Sequence, residues 1–330
     1  MKNKKPVFFL AAVFLLLTFP LFSFSKSDFS FSIEPYFSVF CGQLDEYIYS
    51  SADENIKKSL LEWELNPLYK AGAKIKGDFK NFYVSADAGA ALPFYCGTLR
   101  DSDWNADGTT KIIYSELDEK NSKSFFFSSE LGHEFSFGKS ADERKVPLIF
   151  SIAPAALFEF SHFEIKSGNG HGYFGGEDYS TNGKEVPWNS EFATYHKTYG
   201  INLTREYFSL FAGLRLGARI SQKFDFSLGA FISPFTYVAT YDRHLRKKGS
   251  YHLNSYQKGA FEYLKFDFLF GFKCSSRIQL TLGADILKGN VIKGKFYHNY
   301  YSSKPALSKQ KSGSGTFIFN IKSGIKFLVF

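Results

Sequence analysis

Two short stretches, far apart in the chain, carry acid and base side chains at the spacing of neighbours on a β-strand. Asp101 and Asp103 lie one residue apart, directly before Trp104. Asp242 and His244 lie one residue apart in the last third of the chain. Side chains at positions i and i+2 share one face of a strand, so each pair can point at one place. Histidine titrates near neutral pH, and a carboxylate can hold or share its proton, so both pairs suit general acid–base chemistry.

The composition predicts the frame that must position these pairs. Aromatic residues make up 19% of the chain, with 40 Phe and 20 Tyr, although the mean hydropathy is only −0.19. A transmembrane β-barrel uses aromatic side chains to face lipid and to form girdles at both membrane interfaces. Beyond the N-terminal segment, no apolar run approaches the roughly 20 residues of a membrane-spanning helix. The composition therefore predicts an all-β, antiparallel transmembrane barrel.

The N-terminal segment has the pattern of a secretory signal peptide. Three lysines among the first five residues precede an apolar run over residues 7–22, and small residues follow. This order predicts a signal peptide over 1–25, cleaved after Ser25, and a single barrel domain over 26–330. Cleavage would lower the formal net charge from +8 to +5 by removing these three lysines. Because no dense basic patch remains, the sequence carries no signature of nucleic-acid binding.

Polar and apolar residues alternate with period two along most of the chain, as in strands with one face on lipid and one on the lumen. In the first segment, the face predicted to meet lipid consists of Phe29, Phe31, Ile33, Phe37, Val39 and Cys41. In the second segment, Leu61, Trp63 and Leu65 are predicted to face lipid. Glu62 and Glu64 of the same segment are predicted to face the lumen. The alternation predicts ten strands, at 28–45, 58–77, 82–99, 123–138, 147–167, 196–220, 224–242, 258–274, 277–299 and 314–330.

Strand order predicts that the two acid–base pairs meet at one end of the barrel. Short connections, typical of periplasmic turns, alternate with longer polar connections, typical of extracellular loops. The predicted short turns are 78–81, 139–146, 221–223 and 275–276. Asp101 and Asp103 follow the third strand, and Asp242 and His244 follow the seventh. Because odd-numbered strands then run outward, both pairs are expected at the extracellular mouth.

Counting residues along each strand predicts which way these side chains point. Continuing the lumen-facing parity of Asp87 along its strand directs Asp101 and Asp103 inward. On the seventh strand, Asp242 shares its parity with apolar residues that are predicted to face lipid. A β-bulge is therefore required to turn it inward. Pro234 marks the predicted position, because proline in a ladder is tolerated mainly at bulges or edges.

Three segments of the chain are similar to segments of one known family. They are residues 42–64, the stretch Leu99-Arg100-Asp101-Ser102-Asp103-Trp104, and Asp242-Arg243-His244. That family is the omptins, ten-stranded outer-membrane endopeptidases of Gram-negative bacteria. The chain also ends in Phe330 after alternating apolar residues, which resembles the assembly signal of bacterial outer-membrane proteins. The resemblance implies an outer-membrane endopeptidase with its active site at the extracellular mouth.

The omptin resemblance assigns a role to each residue of the two pairs. In that family a water molecule, rather than a side chain, is thought to attack the scissile carbonyl. The resemblance implies that His244 takes a proton from this water and that Asp242 stabilises the imidazolium. Asp101 would hold the water from the opposite wall, and Asp103 would orient Asp101, with a proton shared between the two carboxyls. No covalent intermediate, cofactor or metal is expected.

The resemblance also implies a substrate site formed by Glu46, Leu99 and Thr240. Omptins bind a basic residue of the substrate with two carboxylates, and Glu46 matches the first of these. The second position is Thr240, which is uncharged, so we expect a weaker preference for Arg or Lys. The expected partners are peptides or proteins at the cell surface and the lipids of the outer membrane.

Lipopolysaccharide is a further expected partner, since known omptins need it for activity and bind it through polar residues on the outer barrel wall. The corresponding stretch of this chain, residues 158–163, is mostly aromatic. It offers Glu159 and His162 as polar contacts. The family's lipid-binding pattern is thus poorly matched, and activity without this activator also fits the sequence.

Two other functions fit the same sequence. A non-enzymatic surface barrel, such as an adhesin or a structural protein, would keep the frame, but nothing would require Asp101 to approach His244. A small-solute channel would need an open lumen, whereas a ten-stranded barrel lies near the size at which side chains fill the interior. Convergence of the two pairs and the filling of the lumen therefore discriminate among the three functions.

Overall fold

The computed structural model describes residues 29–138, 148–175, 185–246, 249–299 and 306–329. The predicted signal peptide and the predicted turn at 139–146 lie outside these residues. Within this part of the chain, no helix is long and apolar enough to cross a membrane. The strands are β1 (Phe29–Tyr49), β2 (Lys57–Phe79), β3 (Phe82–Ala91), β4 (Tyr95–Trp104), β5 (Lys111–Asn121), β6 (Ser124–His133), β7 (Phe135–Phe137), β8 (Ile149–Phe174), β9 (Thr194–Thr198), β10 (Ile201–Arg219), β11 (Phe224–Arg246), β12 (Gly249–Gly259), β13 (Tyr263–Lys273), β14 (Ile278–Asn299) and β15 (Ala306–Leu328).

Antiparallel pairing joins these strands into a closed ring. β1 pairs with β2 on one side and with β15 on the other, which closes the sheet. Successive strands continue one another along a shared neighbour: β3 and β4 along β2, β5 to β7 along β8, β9 and β10 along β8, and β12 and β13 along β11. Each such series fills the place of one long strand in the ring, here called a stave, and the described residues form ten staves. The predicted antiparallel barrel is confirmed, with several of its staves interrupted.

The half of the barrel near the short turns, here called the lower half, carries apolar side chains outside and polar ones inside. On β1, Ile33 and Phe37 are exposed on the outer surface, while Glu34 and Ser38 are buried in the lumen. This is the facing that the alternation predicts. The resulting belt of exposed aromatic and aliphatic residues matches the surface that transmembrane barrels present to lipid.

Paired charges fill the lumen of the lower half. Arg215 donates two hydrogen bonds to Glu130, of 2.7 and 2.8 Å, and two to Asp267, of 2.6 and 3.2 Å. Lys322 donates to Asp87 at 2.9 Å. A cavity of about 110 Å³ remains beside the latter pair. The interior of this half is therefore packed, as expected for a barrel of ten staves.

The half of the barrel near Asp101, here called the upper half, reverses this polarity. Leu61, Trp63 and Leu65 of β2 are buried in the hydrophobic core. Glu62 and Glu64, which alternate with them, are partly exposed on the outer wall. The predicted facing of these five residues is therefore wrong. In this half the barrel resembles a soluble protein, with apolar residues inside and charged residues outside.

A β-bulge on β2 explains the reversal. Between Phe40 and Gly42 of β1, one residue faces two residues of β2, Asn66 and Pro67. The extra residue shifts the facing of β2 by one position. Below the bulge the even-numbered residues of β2 face the lumen, and above it the odd-numbered residues do. A single parity for the whole strand therefore gives the wrong facing above the bulge.

A second bulge turns β11 in the same way. One residue of β10 faces two residues of β11, Ser233 and Pro234. Below this point the even position Leu228 is exposed on the outer surface, whereas above it the even positions Thr240 and Asp242 are buried. The bulge predicted at Pro234 is confirmed, and it turns Asp242 toward the lumen.

The staves continue further upward than the alternation predicts. The third predicted strand stops short of Asp101, but β4 and β5 continue upward as a hairpin that turns over residues 105–110. Asp101 and Asp103 therefore lie on a strand rather than on a loop. The alternation does not predict this extension because the outward residues of the hairpin, such as Asp118, are charged. A segment with charged residues on its outer face has the composition of a polar connection.

Candidate active site

Asp101 and Asp103 point into the upper lumen from β4. Residues paired across neighbouring strands share a face of the sheet. Asp101 pairs with the buried Leu61, and Asp103 pairs with Ser59, both on β2. The Ser59 hydroxyl donates a hydrogen bond to the Asp103 carboxylate. Strand register, rather than the geometry of a loop, thus fixes this pair.

Asp242 and His244 point into the same lumen from β11. Asp242 is completely buried, and its paired neighbours Leu203 and Leu253 are buried as well. His244 pairs with Tyr251 of β12, and the two rings stack with centroids 4.4 Å apart and an angle of 15° between their planes. Tyr251 therefore fixes the plane of the imidazole, which a directed proton transfer requires.

Glu46 joins the site from β1. Leu61 of β2 pairs with Glu46 on one side and with Asp101 on the other. Glu46 and Asp101 thus lie two strands apart at the same height, with about 10 Å between their Cα atoms at the usual strand spacing. Because Glu46 is almost completely buried, its carboxyl meets the interior of the cleft rather than bulk water.

The acids of the two walls share one electrostatic environment, although β4 and β11 lie on opposite sides of the ring. Asp101, Asp103 and Asp242 all lie above the apolar belt. Burial and the charges of Asp103 and Glu46 raise the pKa of Asp101 well above its usual range. Burial and the adjoining Glu46 carboxyl raise the pKa of Asp242, against the opposing charge of Arg205. The charge of Asp101 adds to this increase. The structure therefore brings the acids of both walls into one cleft.

Asp242 is held by another acid rather than by a hydrogen-bond donor. Among the described residues, neither of its buried carboxyl oxygens accepts a hydrogen bond from a fixed N–H or O–H group. It adjoins the Glu46 carboxyl instead, and two carboxyls in contact need a proton between them. Asp242 therefore retains a proton at pH values at which an exposed aspartate is ionised.

Arg205 brings a cation into this cleft. It extends from β10, is completely buried, and reaches β1 across the lumen. Its Nη2 donates to Glu46 Oε2 at 3.3 Å, and its Nη1 donates to the carbonyl oxygen of Asp45 at 3.1 Å. Its Nε donates to Thr240 Oγ1 at 3.1 Å, and Nη1 also donates to Tyr207 Oη at 3.3 Å. The guanidinium thus connects β1, β10 and β11 at the floor of the cleft.

The three predicted substrate residues have different surroundings. Glu46 and Thr240 both belong to the cleft, where each contacts Arg205. Leu99 is completely buried in the hydrophobic core. It supports the wall below Asp101 and offers no surface to a substrate, so the predicted substrate contact at Leu99 is wrong.

The two polar contacts predicted on the outer barrel wall are Glu159 and His162. Glu159 faces the lumen and pairs with Lys265, so the predicted outward contact at Glu159 is wrong. His162 lies on the opposite face of β8, with its Nδ1 3.4 Å from Glu206 Oε1. In the part of the chain that the structure describes, no group of three or more His, Cys, Asp or Glu side chains is arranged to hold a metal ion.

Sequence reasoning misses Arg205, Ser59 and Tyr251. Alternation does direct Arg205 inward together with Leu203, so its burial is open to prediction. Its contact with Glu46 cannot be predicted in this way, because β10 and β1 are not neighbours in the ring and the contact depends on the width of the lumen. Ser59 and Tyr251 become visible only once the strand register is known.

No protein-family model and no curated protein matches this chain. Its structure is similar to that of the outer membrane protease OmpT from Escherichia coli, with a TM-score of 0.76 and 15% sequence identity, over 94% of this chain and 99% of that one. The translocator domain of the autotransporter NalP from Neisseria meningitidis aligns over 97% of this chain and 95% of its own, with a TM-score of 0.31 and 8% identity. The toluene transporter TodX from P. putida aligns over 92% and 91%, with a TM-score of 0.25 and 8% identity. The similarity to OmpT confirms the barrel fold that the omptin resemblance implies.

Proposed function

We propose that this protein is an outer-membrane endopeptidase that hydrolyses peptide bonds at the extracellular mouth of its barrel. One observation carries the proposal: Asp101 and Asp242 face one cleft from opposite walls, and the buried Glu46 lies level with Asp101 and adjoins Asp242. Burying acids beside other acids opposes folding, so such a cluster indicates a site kept for chemistry. The similarity in fold to an outer membrane protease supports the same class of reaction.

The reaction that suits these groups is hydrolysis by an activated water. His244 takes a proton from a water held between the walls. Asp242, on the same face of β11, shares its proton with Glu46, and the negative charge that remains on this pair stabilises the imidazolium that forms. The water oxygen bonds to the scissile carbonyl carbon. The C–N bond then breaks as the proton passes from His244 to the leaving amine. The products are a carboxyl and an amine, with no covalent enzyme intermediate.

The opposite wall stabilises the charge that develops on the substrate. Because its pKa is raised, Asp101 retains a proton at pH values at which an exposed aspartate has lost it. A protonated Asp101 donates a hydrogen bond to the water or to the oxygen of the tetrahedral intermediate. Asp103, held by the Ser59 hydroxyl, shares this proton and orients Asp101.

Cleavage of a mixed-sequence peptide library by the refolded protein tests the proposal. His244→Ala removes the base of one wall and Asp101→Asn removes the acid of the other, so each should lower the cleavage rate by about 10²-fold or more. The matched control is Asp118→Asn, which alters an exposed carboxylate on the outside of the same β4–β5 hairpin and should leave the rate unchanged. Circular dichroism checks that every variant has folded.

Assays with and without added lipopolysaccharide complete this test. If the native protein folds but cleaves no peptide under either condition, the proposal is wrong, and a binding role for the barrel replaces it. If His244→Ala cleaves as fast as the native protein, the assigned site is wrong even though the protein is a peptidase. Loss of cleavage in both cleft variants, with retention in the control, supports the site and its chemistry.

A further inference from the structure

The acids of the cleft, considered without Arg205, predict a preference for basic substrates. Glu46, Asp101, Asp103 and Asp242 contribute four carboxyls to its walls. An Arg or Lys side chain of a bound peptide would form charge-assisted hydrogen bonds with them. Arg205 changes this expectation, because it supplies a guanidinium to the cleft from within the protein.

Arg205 makes the contacts that an arginine of a substrate would need. A guanidinium is held best when it meets a carboxylate and its remaining N–H groups also find oxygen acceptors. The carboxylate of Glu46, the hydroxyl of Thr240 and the carbonyl oxygen of Asp45 are these acceptors, at 3.1 to 3.3 Å from Arg205. The side chain enters from the far side of the lumen and lies across the floor of the cleft.

The rest of the Glu46 carboxyl is also occupied from within. It adjoins Asp242, so Arg205 and Asp242 together enclose it, and Glu46 is only 4% exposed. A second guanidinium brought in by a substrate would either displace Arg205 or lie beside it as a like charge. Juxtaposed like charges disfavour binding, so a basic side chain gains nothing at Glu46.

The outer wall beside the cleft carries further positive charge. Lys57 and Lys111 both stack on Trp104, with their Nζ atoms 3.8 and 5.3 Å from the ring centroid. Trp104 directly follows Asp103 on β4 and so faces the other side of the strand, which places these lysines on the outer wall at the height of the cleft. A basic side chain approaching the site meets this positive field, whereas an uncharged side chain does not.

We propose that Arg205 is a specificity-determining residue that fills the subsite for a basic side chain from within, so that cleavage occurs beside uncharged side chains. This inference rests on the proposed peptidase function. In this inference, Glu46 holds Arg205 in place. Arg205 in turn acts on substrate choice by excluding the cation of a basic side chain.

Two fluorogenic peptides that differ only in arginine or citrulline next to the cleaved bond test the inference. Citrulline has nearly the shape of arginine without its charge. For the native protein, kcat/KM for the citrulline peptide should equal or exceed that for the arginine peptide. Arg205→Ala removes the internal guanidinium and frees Glu46, so the arginine peptide should gain at least about tenfold relative to the citrulline peptide. Arg205→Lys keeps a cation at this point and is the matched control, with the native ratio expected.

The inference would be overturned if the native protein preferred the arginine peptide by tenfold or more. It would also be overturned if Arg205→Ala had the same ratio of kcat/KM values for the two peptides as the native protein. If Arg205→Ala does not fold, Glu46→Gln answers the same question in a chain that keeps Arg205. Both peptides should then lose activity equally, because Glu46 does not contact the substrate. A loss confined to the arginine peptide would show that Glu46 binds the substrate and would overturn the inference.

Binding measurements separate this inference from the proposed function. If the native protein cleaves neither peptide, the peptidase proposal fails, but both peptides can still be titrated into the folded native and Arg205→Ala barrels. The arginine peptide should bind Arg205→Ala at least about tenfold more tightly than the native protein, and the citrulline peptide should bind both alike. Equal binding of the arginine peptide to the two proteins would overturn the inference, whether or not either peptide is cleaved.

Discussion

The lower half of the barrel neutralises its buried charges, whereas the upper half crowds carboxyls together. In the lower half, Arg215 lies between Glu130 and Asp267 and bonds to both. In the upper half, Asp101 interacts with the carboxyls of its neighbours, and Asp242 adjoins a carboxyl rather than a donor. The two halves of one barrel thus treat buried charge in opposite ways.

On β2 the outer surface changes at the same height as the interior. Below the bulge at Pro67 its outward residues are apolar, and above it they include Glu62 and Glu64. On β11 the change lies higher, because Phe235 and Tyr241 are still exposed above Pro234 and Arg243 follows them. A membrane around the lower half leaves no water to solvate an unpaired ion, so charges there need internal partners. With the lower half in the membrane, the upper half would stand in water and could hold the destabilising acids that the proposed reaction requires. The comparison teaches that strain is confined to the part of the barrel that carries the candidate site.

Removal of Arg215 should have the largest effect on stability. Arg215→Leu leaves Glu130 and Asp267 buried without their cation, which should lower the free energy of unfolding by about 3–5 kcal/mol. Arg219→Leu is the matched control, because its ion pair with Asp225 is partly exposed and such pairs contribute about 0–1 kcal/mol. Urea unfolding in lipid vesicles measures both variants. Equal losses would contradict the view that the lower lumen depends on paired charge.

Charging the outer wall should distinguish the belt from the upper half. Leu228 and Tyr241 both lie on β11, and they are 50% and 41% exposed. Leu228→Arg brings a charge into the apolar belt and should lower the free energy of unfolding by about 2–4 kcal/mol. Tyr241→Arg lies above the belt and should cost about 0–1 kcal/mol. Similar losses in the same vesicle experiment would contradict a membrane boundary between these two positions.

The sequence predicts the lower half well, because alternation there takes its simplest form. The inward and outward residues of β1 are those predicted, and Pro234 signals a bulge because proline cannot donate to the ladder. Pro67 carries the same signal, but Leu61 to Leu65 above it alternate as regularly as a lipid-facing strand does. Alternation gives the period of a strand and not which face is inside, so the upper part of β2 is predicted the wrong way round.

The candidate site can be predicted in part for a related reason. Strand order and parity bring Asp101 and Asp242 to one mouth, and the bulge completes that prediction. The contact between Arg205 and Glu46 joins residues 159 positions apart. It depends on the diameter of the barrel and on the tilt of its strands, which no local pattern encodes. The burial of Leu99 escapes prediction because it depends on the hairpin that extends the barrel above the belt.

The crowded acids should make the protein less stable as the pH rises. Burial and neighbouring carboxyls raise the pKa of Asp101 and Asp242, so both bind their protons more tightly in the folded chain than in the unfolded one. Their contribution to stability is fully present below the ordinary aspartate pKa of about 4. It is lost as the pH rises through the raised pKa of the folded state.

The double variant Asp101→Asn/Asp242→Asn should remove most of this dependence. Its free energy of unfolding should fall less than that of the native chain between about pH 4 and pH 9. Asp118→Asn, with its exposed position outside the cleft, should follow the native curve. Parallel curves for the double variant and the native chain would show that the cleft acids do not limit stability, against the contrast between the two halves.

The smallest effect should come from a single hydroxyl. Burial raises the pKa of Asp103, and the hydrogen bond from Ser59 opposes this rise. Ser59→Ala removes a bond of about 0.5–1.5 kcal/mol, so the pKa of Asp103 should rise further. If the active form of the protein has one proton shared by Asp101 and Asp103, the doubly protonated pair must first lose a proton. In Ser59→Ala this loss should occur at higher pH than in the native protein. The acid limb of the cleavage profile should shift upward accordingly.

A matched serine at the other end of the barrel makes this test specific. Ser30 donates a hydrogen bond of 3.0 Å to Asp78 in the lower half, far from the acids of the cleft. Ser30→Ala should therefore leave the pH profile of cleavage unchanged. A shift in Ser59→Ala alone would connect Asp103 with the reaction. Identical profiles would instead make Asp103 a structural residue and restrict the proton of that wall to Asp101.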